Sequence, residues 1–116
     1  MSIKAELGGE GELMASNFLE QNGYQIVERN YRYKHAEIDV IAQKDKLLVF
    51  VEVKTRSKVG FGFPEQAVDD KKAAKVIEGA EQYIYENDWD GDVRFDIIAV
   101  VVGASSEIQH FEDAFY

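Results

Sequence analysis

The sequence has no cysteine, one proline and only two histidines among 116 residues. It can therefore form neither disulfides nor a thiolate-ligated zinc site, and His35 and His110 are too few for a histidine-rich metal centre. A bound metal would take oxygen ligands, which favours magnesium or manganese. No apolar run approaches the roughly 18 residues of a membrane-spanning helix, and the first residues lack the layout of a signal peptide. We therefore expect a cytoplasmic protein that does not contact membranes.

Basic residues are the minority among the charges, with 13 lysines and arginines against 22 acids and a net charge of −9. Because non-specific binding to nucleic acids is mostly electrostatic, this balance argues against a general phosphate-binding surface. Charges more than about 8–10 Å apart are screened at physiological salt, however, so phosphate binding depends on local clusters of basic residues. Three clusters occur: Arg29, Arg32 and Lys34; Lys54, Arg56 and Lys58; Lys71, Lys72 and Lys75. They permit a local phosphate site on an acidic protein.

The hydrophobic fraction of 46% and the absence of a linker-like stretch predict a single domain over residues 1–116. Apolar periodicity and turn residues divide the chain into seven elements. These are a helix over 10–22 that ends at Gly23, strands over 24–33, 37–42 and 47–54, a helix from about 64 to 87 with a second start at 69, a strand over 93–102 and a short strand near 108–111. The pattern predicts an α/β fold, a mixed sheet flanked by helices in the order α-β-β-β-α-β-β.

The strand over residues 47–54 begins apolar and ends with an acid and a base two positions apart. Glu52 and Lys54 therefore leave the same face of the strand. Buried charges are costly unless they are paired or used, so this strand end is a candidate site. The alternative is an ordinary salt-bridged pair at a surface-facing strand end.

The short turn before this strand predicts a β-hairpin, which brings in a second acid. If Ala42 pairs with Leu47, antiparallel register places Asp39 opposite Phe50 and diagonal to Glu52, about 7–8 Å away. The two carboxylates then share a face and can reach one cation. A register slip of one residue would separate them.

Other residues have two interpretations. Glu12 borders the apolar face of the first helix, where it is either a first-turn acid favoured by the helix dipole or a site residue. Phe61 and Phe63 either pack on the core or stack on bases. Arg94 and Asp96 share a strand face, and their simplest role is to pair with each other.

An acid followed about a dozen residues later by Glu-x-Lys on a buried strand is a recognised nuclease arrangement, and Asp39, Glu52 and Lys54 fit it with a separation of 13 positions between the two acids. Further motifs follow in order: Gly11-Glu12-x-x-Ala15, Gly23-Tyr24, Arg29-Asn30, Glu37-Ile-Asp39-Val-Ile-Ala42, Phe50-Val-Glu-Val-Lys-Thr-Arg56, Phe61-Gly-x-Pro64, Lys72 and Arg94-Phe-Asp-Ile97. Together they resemble the YraN family of small bacterial proteins. That family is similar to archaeal Holliday junction resolvases and to the restriction-endonuclease-like superfamily. One departure is Ala36, where the family commonly has glycine.

The resemblance implies a restriction-endonuclease-like domain in which Asp39 and Glu52 bind Mg²⁺ or Mn²⁺, Glu12 supports the metal and Lys54 acts on water. We accordingly expect a metal-dependent endonuclease acting on DNA rather than RNA, with branched or junction DNA as a candidate substrate. Arg56, Lys58 and Lys72 are the expected backbone contacts. A homodimer is expected only because related resolvases are dimers. The alternatives are a non-catalytic nucleic-acid or protein-binding module, and an acidic surface that docks a basic protein partner.

Overall fold

The computed structural model describes residues 3–57, 70–103 and 106–115, and the side chains within them except those of residues 3–8 and 57. The elements are α1 (Ile3–Gln21), β1 (Gln25–Tyr33), β2 (Ala36–Lys44), β3 (Leu47–Ser57), α2 (Asp70–Glu86), β4 (Asp92–Val102) and β5 (Glu107–Phe111). This order confirms the predicted α-β-β-β-α-β-β arrangement. Within the described ranges, no helix is long and apolar enough to cross a membrane.

The five strands form one mixed sheet in the order β1-β2-β3-β4-β5. β3 and β4 are parallel, and the other neighbouring pairs are antiparallel. The parallel pair requires a crossover connection, which contains α2. The predicted α/β fold, a mixed sheet flanked by helices, is therefore confirmed.

The helices cover opposite faces of the sheet. Ala15 and Leu19 of α1 pack with one set of strand residues, which includes Val49. Val76 of α2 packs with another set, which includes Phe50. Because β3 is covered on both faces, its apolar residues do not alternate with polar ones, as expected for a central strand. The sheet is thus the middle layer of three.

The end of α1 confirms the predicted stop at Gly23. The amide of Tyr24 donates to the carbonyl of Leu19 at 3.0 Å, and the amide of Gly23 donates to that of Glu20 at 3.1 Å. This is the Schellman pattern, and Gly23 has the positive φ of 91° that it favours. The predicted start at residue 10 is wrong, because α1 already includes Ile3; the glycines of this stretch lower helix propensity without ending the helix.

The β2–β3 hairpin differs from the predicted register by two residues. Lys44 pairs with Leu47 and Val40 pairs with Val51, because the turn is shortened to Asp45 and Lys46. The expectation that Asp39 lies opposite Phe50 is therefore wrong. An even shift keeps every side chain on its face, so the acids stay together.

α2 is described from Asp70, within the predicted helix. The predicted start near Pro64, and the alternatives for Phe61 and Phe63, lie outside the described residues. On α1, Leu13 is 51% exposed. Since α1 covers the sheet with only one side, Leu13 falls on its outer edge.

Candidate metal and phosphate site

Asp39 lies where β2 separates from β3. The backbone ladder between these strands ends at the pair Val40–Val51. Beyond it, Oδ2 of Asp39 accepts a hydrogen bond of 2.8 Å from the amide of Val53. Ile38 packs on the α2 side and Val40 on the α1 side, although residues two apart on a regular strand share a face. β2 therefore bends at Asp39, and the carboxylate replaces a backbone acceptor.

Glu52 lies at the adjacent point of β3, one residue beyond the last ladder pair and on the face covered by α2. It is 8% exposed, one of few charged side chains buried in the described chain. Its Oε1 is 2.8 Å from Nζ of Lys72, in the first turn of α2. The buried carboxylate is thus satisfied by an ammonium group from the helix above it.

The carboxyl group of Asp39 is perturbed by burial and by neighbouring charges. The pKa of Asp39 is raised to about 8, mainly by burial and also by the charges of Glu52 and Glu12 and a hydrogen bond with Glu52. The amide of Val53 lowers it, but by less than burial raises it. A cation placed between the two groups would relieve this repulsion, since an opposite charge within a few ångströms favours the ionised form.

Glu12 approaches the same region from α1. Burial raises the pKa of its carboxyl group, the charge of Arg29 and a hydrogen bond with Asn30 lower it, and the charges of Glu37 and Glu52 raise it. Its position depends on the preceding residue, Gly11. A β-carbon there would overlap Oγ1 of Thr55 on β3, so glycine allows α1 to approach the strand end closely.

A pocket of about 380 Å³ opens beside the two carboxylates. Its described lining consists of His35, Glu37, Asp39, Glu52, Lys71, Lys72, Lys75 and Val76. The three lysines come from the first two turns of α2 and face the acids from the helix side. The pocket is therefore locally basic on the side opposite the acidic pair, although the net charge of the whole chain is −9. The sequence shows the lysine cluster, but only the structure brings His35, Lys71 and Lys75 to this pocket.

The remaining predicted site residues are Lys54, Arg56 and Lys58. Lys54 is half-buried on β3, two residues after Glu52 and opposite Ala99 of β4, and is not among the described side chains that line the pocket. Arg56 is exposed, and its guanidinium donates to the carbonyl of Thr55 at 2.9 Å. Lys58 lies outside the described residues.

The donor set determines which metal the site suits. In the described part of the chain, no three acidic or histidine side chains are close enough to hold a metal by themselves. The structure thus brings Asp39 and Glu52 together, with Glu12 nearby but not part of a ready three-ligand set. Mg²⁺ is commonly held by one or two carboxylates, with waters and substrate phosphates completing its octahedron. Two oxygen donors at an open pocket fit that mode, and Mn²⁺ accepts the same ligands.

Arg94 and Asp96 pair with each other, which confirms the simpler sequence interpretation. Asp96 is fully buried, and its carboxylate accepts two hydrogen bonds of 2.8 Å from the guanidinium of Arg94. His110 Nε2 lies 2.6 Å from Oδ2, and the amide of Asp113 donates to Oδ1 at 3.0 Å. Asp96 has the same strand parity as Ile98, which packs on the α1 side. The cluster is therefore on the opposite face from Glu52 and outside the candidate site.

Fold and site together define a three-layer α/β protein with paired carboxylates beneath a lysine-bearing helix. The model of Uncharacterised protein family UPF0102 matches residues 11–100. The chain belongs to this family, the YraN family that the sequence motifs indicated.

Curated relatives match over nearly their whole length. A UPF0102 protein of Flavobacterium psychrophilum is 46% identical over 117 residues, covering 100% of this chain and 98% of its own. One from Flavobacterium johnsoniae is 48% identical over 121 residues with the same coverage. Among solved structures, Pyrococcus furiosus SfsA in complex with Ca²⁺ matches with a TM-score of 0.42 and 13% identity, covering 97% of this chain and 65% of that one. This likeness is too distant to bear on function.

Proposed function

We propose that this protein is a metal-dependent phosphodiesterase that cleaves DNA, with Mg²⁺ or Mn²⁺ as its cofactor. The supporting observation is the juxtaposition of Asp39 and Glu52 at the end of the β2–β3 ladder, next to a pocket walled by the lysines of α2. Paired carboxylates attract a divalent cation, and adjacent lysines attract the phosphate on which it acts. Membership in UPF0102 is consistent with this function but names no activity.

Each residue has a role in the proposed reaction. Asp39 and Glu52 would hold the metal, which when bound lowers the pKa of a water and offsets charge on the phosphoryl group. Glu12, whose pKa is raised in part by the charge of Glu52, would support the metal through a water. Lys54 would orient the attacking water and offset negative charge in the transition state. Its half-buried position beyond Glu52 on β3 favours a fixed orientation.

The substrate proposal follows from the distribution of basic groups. Lys72 on α2 and the exposed Arg56 at the end of β3 would contact backbone phosphates, together with Lys58. Because these contacts are to phosphates, they position the strand without reading its sequence. DNA, including branched or junction DNA, is proposed from the motif resemblance to resolvases rather than from the pocket shape.

The test is cleavage of plasmid and four-way junction DNA with Mg²⁺ or Mn²⁺. We expect Lys54→Ala to lower the rate by about 100-fold or more. The matched control is Lys46→Ala, because Lys46 is exposed in the β2–β3 turn at the other end of β3. Equal rates for wild type and Lys54→Ala would indicate a contaminating nuclease and overturn the assignment.

A second candidate, a non-catalytic binding module, is supported by the net charge of −9. A nuclease acting alone benefits from a broad basic surface, whereas a module that docks a basic protein does not. Calorimetry separates the two functions, because the module needs no Mg²⁺ uptake that depends on Asp39 and Glu52. Pull-down with and without nuclease treatment would then distinguish a protein partner from a nucleic-acid bridge.

A further inference from the structure

Lys72 has a contact that conflicts with a purely phosphate-binding role. Its Nζ lies 2.8 Å from Oε1 of Glu52, a carboxylate that is 8% exposed and that the proposed metal needs. Charge-assisted hydrogen bonds of this length are among the stronger ones in proteins. The ammonium therefore supplies the positive charge that keeps Glu52 stable in the site when no metal is bound.

The same geometry allows the Lys72 side chain to move away from Glu52. Its side chain is 53% exposed, and it lines the open pocket from the first turn of α2. A lysine side chain is a flexible four-carbon stem with a strongly hydrated head, so it can change its partner by rotation of the stem. Glu52, by contrast, is held on a central strand between β2 and β4. When a cation approaches, the lysine is the partner that can move.

We propose that Lys72 is the internal counter-ion of the metal-free site, and that cation entry displaces its ammonium from Glu52 and makes it available to a substrate phosphate. This inference rests on the proposed function for the identity of the cation and the substrate. It adds an ordered event to that function: Lys72 contacts Glu52 before the metal binds and a substrate phosphate afterwards. Lys72 is thus a substrate-contacting residue that becomes available only when the metal is bound.

The first test measures Ca²⁺ and Mn²⁺ affinity by calorimetry without DNA. Removing a competitor for Glu52 tightens binding of the cation, so we expect the dissociation constant of Lys72→Met to fall by about threefold or more. Lys72→Arg keeps a cation beside Glu52 and should remain near wild type. The matched control is Lys71→Met, which removes one positive charge from the same pocket. An equal gain in Lys71→Met, or weaker binding in Lys72→Met, would overturn the proposal.

The second test follows the released ammonium through the salt dependence of duplex DNA binding, with EDTA or with Ca²⁺. A lysine that contacts a phosphate contributes about one unit to the slope of log affinity against log salt. We expect Lys72→Met to lower the slope by about one unit with Ca²⁺ and to leave it unchanged with EDTA. Lys71→Met should have the same effect in both conditions. An equal change for Lys72→Met in both would show that Lys72 is not released.

These outcomes separate the inference from the proposed function. Protein that shows the Lys72-dependent metal affinity and slope but cleaves no DNA would overturn the nuclease proposal and leave the counter-ion role intact. Cleavage that persists while the Lys72 and Lys71 variants behave alike would overturn the inference alone. Absence of metal uptake in both wild type and Lys72→Met would overturn both.

Discussion

The carboxylate of Asp39 accepts a hydrogen bond of 2.8 Å from the amide of Val53, directly beyond the last backbone pair of the β2–β3 ladder. The side chain thereby satisfies a donor that the bend in β2 leaves without a backbone acceptor. The same carboxylate lies against Glu52, which together with burial raises its pKa. Asp39 therefore has two separable properties, an acceptor oxygen and a charge.

Substitution at Asp39 can separate these properties. Asp39→Asn keeps an oxygen acceptor for Val53 and removes the repulsion with Glu52, so we expect unchanged or higher stability without metal. Asp39→Ala removes the acceptor as well and should cost about 1–3 kcal/mol, the usual cost of an unsatisfied buried donor. Denaturant unfolding in EDTA measures both effects.

Both Asp39 variants should lose Mn²⁺ uptake, because neither retains the carboxylate. Calorimetry on the same preparations tests this loss. Wild-type metal affinity in Asp39→Asn would exclude this carboxylate as a ligand, whatever the stability results. A large loss of stability in Asp39→Asn would show that the charge itself contributes to folding.

Asp96 should control stability in acid. Burial alone would raise the pKa of its carboxyl group, but hydrogen bonds from His110, Arg94 and the amide of Asp113 outweigh burial and lower the pKa below its usual range. A folded-state pKa below the unfolded value means that the unfolded chain binds the proton more readily. The stabilisation is therefore complete above the unfolded value and is lost as the pH falls through the folded one.

We expect Asp96→Asn to be about 3–5 kcal/mol less stable at neutral pH, since it leaves the Arg94 guanidinium without its buried partner. The slope of stability against pH below about pH 4 should also become shallower. Glu112→Gln is the matched control, because Glu112 contacts the same guanidinium at 3.6 Å but is 60% exposed. Urea unfolding at a series of pH values measures both. An acid slope in Asp96→Asn as steep as in wild type would contradict the assignment.

The sequence predicted the elements and the face of each acid, because apolar periodicity and parity depend on local spacing. It did not predict the turn length, and Asp39 was placed diagonal to Glu52 instead of beside it. A shift of two residues preserved the conclusion only because side chains alternate with period two. The bend at Asp39 has no local signal, since it depends on where β2 leaves β3.

The lysines of α2 show a second reason why the site could be predicted only in part. The cluster at Lys71, Lys72 and Lys75 is plain in the sequence, where it permits a local phosphate site with Lys72 as an expected contact. The contact of Lys72 with Glu52 could not be predicted, because it depends on how α2 lies across the sheet. His35 reaches the pocket from the β1–β2 turn and carries no motif that indicates a site.

Gly11 supports the site from a distance through the packing of α1 on β3. A β-carbon at residue 11 would overlap Oγ1 of Thr55 and approach its Cβ and Cγ2 to 2.9 Å. Gly11→Ala should therefore push α1 from the strand end and cost about 1–3 kcal/mol. Because Glu12 is the next residue, the displacement should also weaken Mn²⁺ binding. Unfolding and calorimetry on one preparation measure the two effects.

Gly9→Ala provides the control for Gly11→Ala, because a β-carbon at residue 9 meets no atom within 4 Å. There alanine should leave stability equal or raise it by up to about 1 kcal/mol, since it favours the helix over glycine. The cost at Gly11 should also shrink in a Thr55→Gly background, which removes the atoms in conflict, and a double-mutant cycle measures that coupling. Equal stability of the two alanine variants would mean that α1 can shift away from β3 without loss of stability. Gly11 would then not be needed to position Glu12.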